Sequence, residues 1–157
     1  MKCRARVFGD DVTLDEIHPG KYFSLDPEKV VQGLMAGIEP EFYKTIKEND
    51  VIVAGRYFGM GSGRESGAWA MQLAGIEMVI AESFSRYMFR NCVNRGIWPL
   101  EVKSVLDKVS EKDMLEVYPE KGSLILEEGE ELFFEPFPPK MEKIIKSNIC
   151  QRNDDVR

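Results

Sequence analysis

Four glycines fall within nine residues, Gly55, Gly59, Gly61 and Gly63, between two segments that are almost wholly apolar. The segment before them, Asp50-Val-Ile-Val-Ala54, is short and β-branched and reads as a buried strand. The segment after them, Glu65 to Ala74, is apolar nearly all round and closes on Gly75, so it reads as a buried helix with a glycine C-cap. A buried strand that feeds a buried helix through a glycine-dense loop demands an α/β architecture, with the loop at one edge of the sheet.

The remaining pattern agrees. Lys2 to Phe8 alternates as a strand and turns at Gly9-Asp10-Asp11. Asp26-Pro27-Glu28 starts a helix, with aspartate at the N-cap and proline in the first turn, that runs to about Gly37. Glu77 to Ala81 is a second buried strand. Phe84 to Arg95 is a helix ended by Gly96, with Phe84, Met88 and Cys92 on one face, and Ile97 to Val102 is a further strand. Met114 to Tyr118 and Ser123 to Glu127 flank Pro119-Glu-Lys-Gly122 as a hairpin, with Leu132 to Phe134 beyond it. Lys140 to Lys146 carries Met141, Ile144 and Ile145 at helical spacing. The reading is one domain over 1–147 and a polar tail over 148–157 that frays. A chain of 157 residues buries roughly 70% of its unfolded surface, enough for a core without covalent staples.

Several function classes are excluded. The net charge of −6 argues against a nucleic-acid surface. Cys3, Cys92 and Cys150 lie far apart, which is neither a zinc nor a cluster spacing and not a disulfide framework. No apolar run approaches the ~20 residues that span a bilayer, and residues 1–11 lack an apolar signal region, so a soluble cytoplasmic protein is expected. The single histidine, His18, precedes a proline and reads as an extended turn residue. A Ser–His–Asp triad is therefore not available.

The stretch Tyr57-Phe-Gly-Met-Gly-Ser-Gly-Arg-Glu-Ser66 carries the chemistry. Backbone N–H groups ahead of a helix attract an anion, and Gly61 and Gly63 permit positive φ. Arg64 offers a planar fork to a carboxylate or phosphate, and Ser62 places a hydroxyl beside it. Ser62-x-x-Glu65 also fits a capping box, which would make Ser62 structural. The phosphate-cradling Gly-x-x-x-x-Gly-Lys-Ser/Thr string is absent. A dinucleotide fingerprint, with Gly59-x-Gly61 and Glu82 about 20 residues on, lacks its third glycine.

The same stretch resembles the Asn-Phe-Gly-Cys-Gly-Ser-Ser-Arg-Glu-His motif of 3-isopropylmalate dehydratase small subunits, in the aconitase superfamily. The segment from Phe8 to Tyr22, the strand Asp50 to Gly55, and Ala74 to Arg86 with Phe89-Arg-Asn91 resemble the same family. The resemblance implies a three-layer β/β/α swivelling domain. It implies a large partner subunit that carries a [4Fe-4S] cluster, with no metal on this chain. It implies Ser62 as the base that removes a carbon-bound proton and Arg64 as the holder of a substrate carboxylate. The reaction implied is dehydration or isomerisation of a malate-type hydroxy acid. The departures are Gly63 for the motif's second serine, Ser66 for its histidine, and Thr13-Leu14-Asp15 for Asp-Thr-Asp. The family's specificity loop reads Tyr22-Phe23-Ser24-Leu25 here. It offers no arginine for an extra carboxylate, so an apolar substrate tail is expected, as in isopropylmalate or a methylated malate; the alternative is a homoaconitase or methylmalate-type dehydratase small subunit. A non-catalytic swivel domain is the reading from another class.

Overall fold

The structure, a computed structural model, describes residues 1–155. Strands β1 (Lys2–Val7), β2 (Asp50–Ala54), β3 (Met78–Ala81) and β4 (Trp98–Glu101) pair in parallel, and β5 (Met114–Tyr118), β6 (Ser123–Ile125) and β7 (Glu131–Phe133) extend the sheet antiparallel. The order is β4-β3-β2-β1-β5-β6-β7, so the first strand of the chain lies at its centre.

Alternate residues of the parallel strands feed two cores. Ile52, Ala54, Val79 and Ala81 pack against Leu14, Ile17, Leu34, Met71, Met88 and Cys92 of the helical layer. Cys3, Ala5, Val51, Val53, Met78 and Ile80 face the other way. They meet Leu115, Leu124, Leu126 and Phe134, the curled antiparallel half, together with Ile145. Helices on one face and folded-over strands on the other give the three-layer β/β/α arrangement expected from the sequence.

The helical elements are α1 (Leu14–Ile17), a 3-10 turn (Gly20–Tyr22), α2 (Pro27–Gln32), α3 (Phe42–Thr45), α4 (Ser66–Leu73), α5 (Arg86–Asn94), α6 (Val105–Lys108) and α7 (Pro139–Asp155). Two boundaries differ from the sequence reading. Helix α2 stops at Gln32 and not near Gly37, because Gly33 caps it and Met35 reverses the chain at φ 55°. A Cβ at Gly33 would stand 2.5 Å from Tyr22 Cβ and 2.7 Å from His18 Nε2, so this close packing admits only glycine. Helix α7 continues past Lys146 to Asp155, through the segment expected to fray. Asn148 holds it there by donating to the carbonyls of Val93 and Asn94, the last two residues of α5.

Candidate functional site

The loops after β1, β2 and β3 all leave the same, C-terminal edge of the parallel sheet, where open α/β sheets place their ligands. Backbone bonds stitch them together. Gly55 N–H donates to Gly9 O (3.1 Å), Gly59 N–H to Val12 O (2.8 Å), Leu14 N–H to Met60 O (2.7 Å) and Ser85 N–H to Phe58 O (2.9 Å). The start of the glycine loop is thus held between two neighbours, through isolated bridges at Thr13–Met60 and Phe58–Phe84.

Helix α5 buttresses the loop from below. Ser85 Oγ donates to Gly59 O at 2.8 Å, and Asn91 Nδ2 reaches the carbonyls of Gly63 and Arg64 at 3.3 Å each. A Cβ at Gly59 would lie 2.4 Å from Met88 Cβ, and one at Gly63 would lie 2.8 Å from Tyr87 Cγ. These two glycines therefore admit a helix. Gly61 differs: its φ of 134° favours glycine, but the nearest atom to a Cβ there is 3.5 Å away.

From Gly61 to Glu65 the backbone donors are left unpaired. Among the described residues, the N–H groups of Gly61, Ser62, Gly63, Arg64 and Glu65 meet no protein acceptor. Successive free N–H groups around positive-φ glycines form a concavity for an anion. Ser62 is exposed, and its hydroxyl has no partner among the described residues. The capping alternative for Ser62 does not hold: the N-cap of α4 is Glu65 and receives no side-chain bond. The Glu65 carboxylate instead accepts from Arg95 Nε at 3.1 Å. The capping box lies elsewhere. Thr13 Oγ1 accepts from Glu16 N–H at 3.2 Å, and Glu16 Oε2 accepts from Thr13 N–H at 2.8 Å, fixing α1 beside the loop.

Arg64 is aimed by two neighbours. Its Nη2 donates to Asp15 Oδ1 at 2.6 Å, and its guanidinium carbon lies 4.4 Å from the centre of the Phe23 ring. Arg64 Nε is buried and has no partner among the described residues, as is Ser66 Oγ at the start of α4. Phe23 in turn stacks on His18, 5.8 Å between centres and 9° between planes. His18 is fully buried, with Nε2 2.9 Å from Val30 O. Desolvation by burial lowers its pKa, and the Arg64 charge adds to that, so the ring is a neutral packing element.

The structure therefore brings Ser62, Gly61, Gly63, Arg64 and Phe23 together. Ser24 and Leu25 do not join them. Ser24 Oγ accepts from Asp26 N–H at 3.0 Å ahead of α2, and Leu25 is 94% exposed. Sequence reasoning missed the pairing of Asp15 with Arg64. It also missed the Thr13–Glu16 cap, although Thr-x-x-Glu carries the same signal as the one assigned to Ser62.

Residues 25–105 match the aconitase C-terminal domain. The small subunit of 3-isopropylmalate dehydratase from Halothermothrix orenii is 40% identical over 151 residues, covering 94% of this chain and 92% of the relative. The chain belongs to the aconitase C-terminal domain family. A methanogen homoaconitase small subunit of Methanocaldococcus jannaschii is 42% identical over 127 residues, covering 80% of this chain and 74% of that one. A crystal structure of a 3-isopropylmalate dehydratase from the same organism superposes with a TM-score of 0.86 at 35% identity, covering 99% of this chain and 95% of the other.

An iron–sulfur cluster, which this aconitase-type fold brings to mind, does not fit the thiols of this chain. Cys3 and Cys92 lie in different cores on opposite faces of the sheet, and burial pushes each thiol up to about 12. Cys150 is exposed on α7. Among the described residues no group of three or more His, Cys, Asp or Glu side chains is arranged to hold a metal ion, and no helix is long and apolar enough to cross a membrane.

Proposed function

We propose that this chain is the small subunit of a hydro-lyase that dehydrates or isomerises a malate-type hydroxy acid of the 3-isopropylmalate class. It acts with a large subunit, and the [4Fe-4S] cluster belongs to that partner. The observation that carries the reading is the loop from Gly61 to Glu65, where five N–H donors without an acceptor among the described residues, a Ser62 hydroxyl that caps no helix, and Arg64 lie within five residues. A carboxylate fits those donors and the Arg64 fork. Ser62 Oγ then stands beside the bound acid as the group that removes the carbon-bound proton. Arg64 holds the substrate and offsets the negative charge of the serine oxygen. No imidazole of this chain assists, since its one histidine, His18, is buried with Nε2 2.9 Å from Val30 O.

Phe23, half-exposed beside Arg64, supports an apolar substrate tail. Leu25, 94% exposed, and Ser24, whose Oγ accepts from Asp26 N–H, follow Phe23 on the same segment. A homoaconitase-type substrate brings an additional carboxylate, and the segment Tyr22-Phe23-Ser24-Leu25 offers no arginine to receive it.

Steady-state kinetics on the complex with its large subunit test the assignment. General-base catalysis is worth about 10²–10⁴-fold, so Ser62→Gly should cut kcat by at least that range while Tm stays near that of the parent. A Ser62→Gly complex with native kcat removes Ser62 as the base. Higher kcat/KM on cis-homoaconitate than on 3-isopropylmalate overturns the substrate class.

A further inference from the structure

Residue 63 has no side chain, and the space one would take is filled from another element. A Cβ on Gly63, at φ 75°, would lie 2.8, 2.9 and 3.2 Å from Cγ, Cδ2 and Cδ1 of Tyr87. The base of the phenol ring therefore rests against the loop between Ser62 and Arg64. Tyr87 is nonetheless 56% exposed, and its hydroxyl meets no partner among the described residues. A tyrosine packed through its ring and otherwise exposed keeps its O–H available to a molecule bound beside it.

The helix that carries the ring is fixed to the loop. Ser85 caps α5 by accepting from Met88 N–H at 3.2 Å and donating to Gly59 O at 2.8 Å, and Asn91 bonds the carbonyls of Gly63 and Arg64. Residues on both sides of Tyr87 along α5 are therefore tied to the same loop. The Gly63 position and the Tyr87 ring form one complementary pair: bulk added at 63 must displace the ring.

We propose that Tyr87 is a specificity-determining residue of this site, its phenol O–H donating to a carboxylate of the hydroxy acid bound between Ser62 and Arg64. The inference rests on the Ser62 and Arg64 reading above. It assigns the polar contact on the Gly63 side to α5 and not to the loop itself. The contact is present in both the ground state and the transition state, so it acts on KM and leaves kcat nearly untouched.

The experiment is steady-state kinetics with 3-isopropylmalate on the complex with its large subunit, comparing the parent, Tyr87→Phe and Ser62→Gly. Tyr87→Phe keeps the ring against Gly63 and deletes only the hydroxyl. A hydrogen bond to a charged group is worth about tenfold or more in affinity, so KM should rise at least about tenfold with kcat within about twofold. Gly63→Ser, which forces the ring aside, should raise KM in the parent but add little in the Tyr87→Phe background. Tyr87→Phe with an unchanged KM overturns the inference, as does a Tyr87→Phe effect confined to assembly of the complex. If Ser62→Gly retains native kcat, the underlying site reading fails instead. If Ser62→Gly is inactive while Tyr87→Phe is native, only the role of Tyr87 falls.

Discussion

Arg64 Nη2 sits 2.6 Å from Asp15 Oδ1, joining the loop after β2 to the helix that follows β1. The aspartate side chain is 81% exposed, so water screens the pair and its worth to folding is small, about 0–1 kcal/mol. Its value is in aiming the guanidinium. Asp15→Ala should lower kcat/KM by about tenfold, a typical cost of a misplaced binding group. Thermal unfolding of the same variant should show Tm lower by no more than about 3 °C. A large fall in Tm with unchanged kinetics would make the pair structural.

His18 gives the fold a pH dependence of known sign. Burial depresses its folded pKa below the ordinary value of about 6.5. The unfolded chain then binds a proton that the folded chain refuses, so stability is complete above about pH 6.5 and falls as the pH drops below it. The slope cannot exceed about 1.4 kcal/mol per pH unit, the value for one proton. Protonation would also put a second N–H on Nδ1, which is buried without an acceptor. Urea midpoints between pH 7.5 and pH 5 should fall in the parent and stay flatter in His18→Gln.

Tyr57 adopts φ 57°, a left-handed conformation that costs a bulky residue about 1–2 kcal/mol. Its side chain is 56% exposed, so little burial is lost on replacement. Its N–H donates to Ser83 Oγ at 2.8 Å and keeps that bond in any variant. Tyr57→Asn should stabilise the chain by about 0.5–1 kcal/mol, because asparagine tolerates this region. Calorimetry should show Tm raised by roughly 2–4 °C, and a lowered Tm would mean that the ring holds a contact worth more than the strain.

The thiols should react in two classes. Cys3 and Cys92 are buried, with pKa values near 12, so neither offers thiolate at neutral pH. Cys150 is exposed. A maleimide reagent should label one thiol per native chain quickly and the other two only in denaturant, as read by intact-mass spectrometry. Rapid labelling of all three would indicate that one of the cores opens.

The sheet was legible because its strands carry apolar runs that helices of this length cannot use, as at Asp50–Ala54 and Met78–Ala81. The loop was legible because glycine and arginine at this spacing have few other uses. What escaped depended on contacts between distant segments. Asp15 and Arg64 are 49 residues apart. Thr13-x-x-Glu16 and Ser62-x-x-Glu65 carry the same capping signal, but α4 starts at Ser66 with Glu65 as its N-cap, and the Glu65 carboxylate accepts from Arg95 instead. The glycines at 59 and 63 leave space beside the loop. Met88 and Tyr87 claim that space, and neither is adjacent in sequence.

The central strand β1 has a further consequence. It pairs with β2 through Arg4 and Asp50 on one side and with β5 through Lys2 and Glu116 on the other. During synthesis the first ladder can zip as soon as β2 emerges, while the other flank of β1 waits until about residue 116 has left the ribosome. Throughout that interval the growing chain carries an open, apolar-backed edge able to pair with a neighbouring nascent chain. Slower translation of residues 55–118 should therefore increase aggregation during expression without changing the stability of the finished fold.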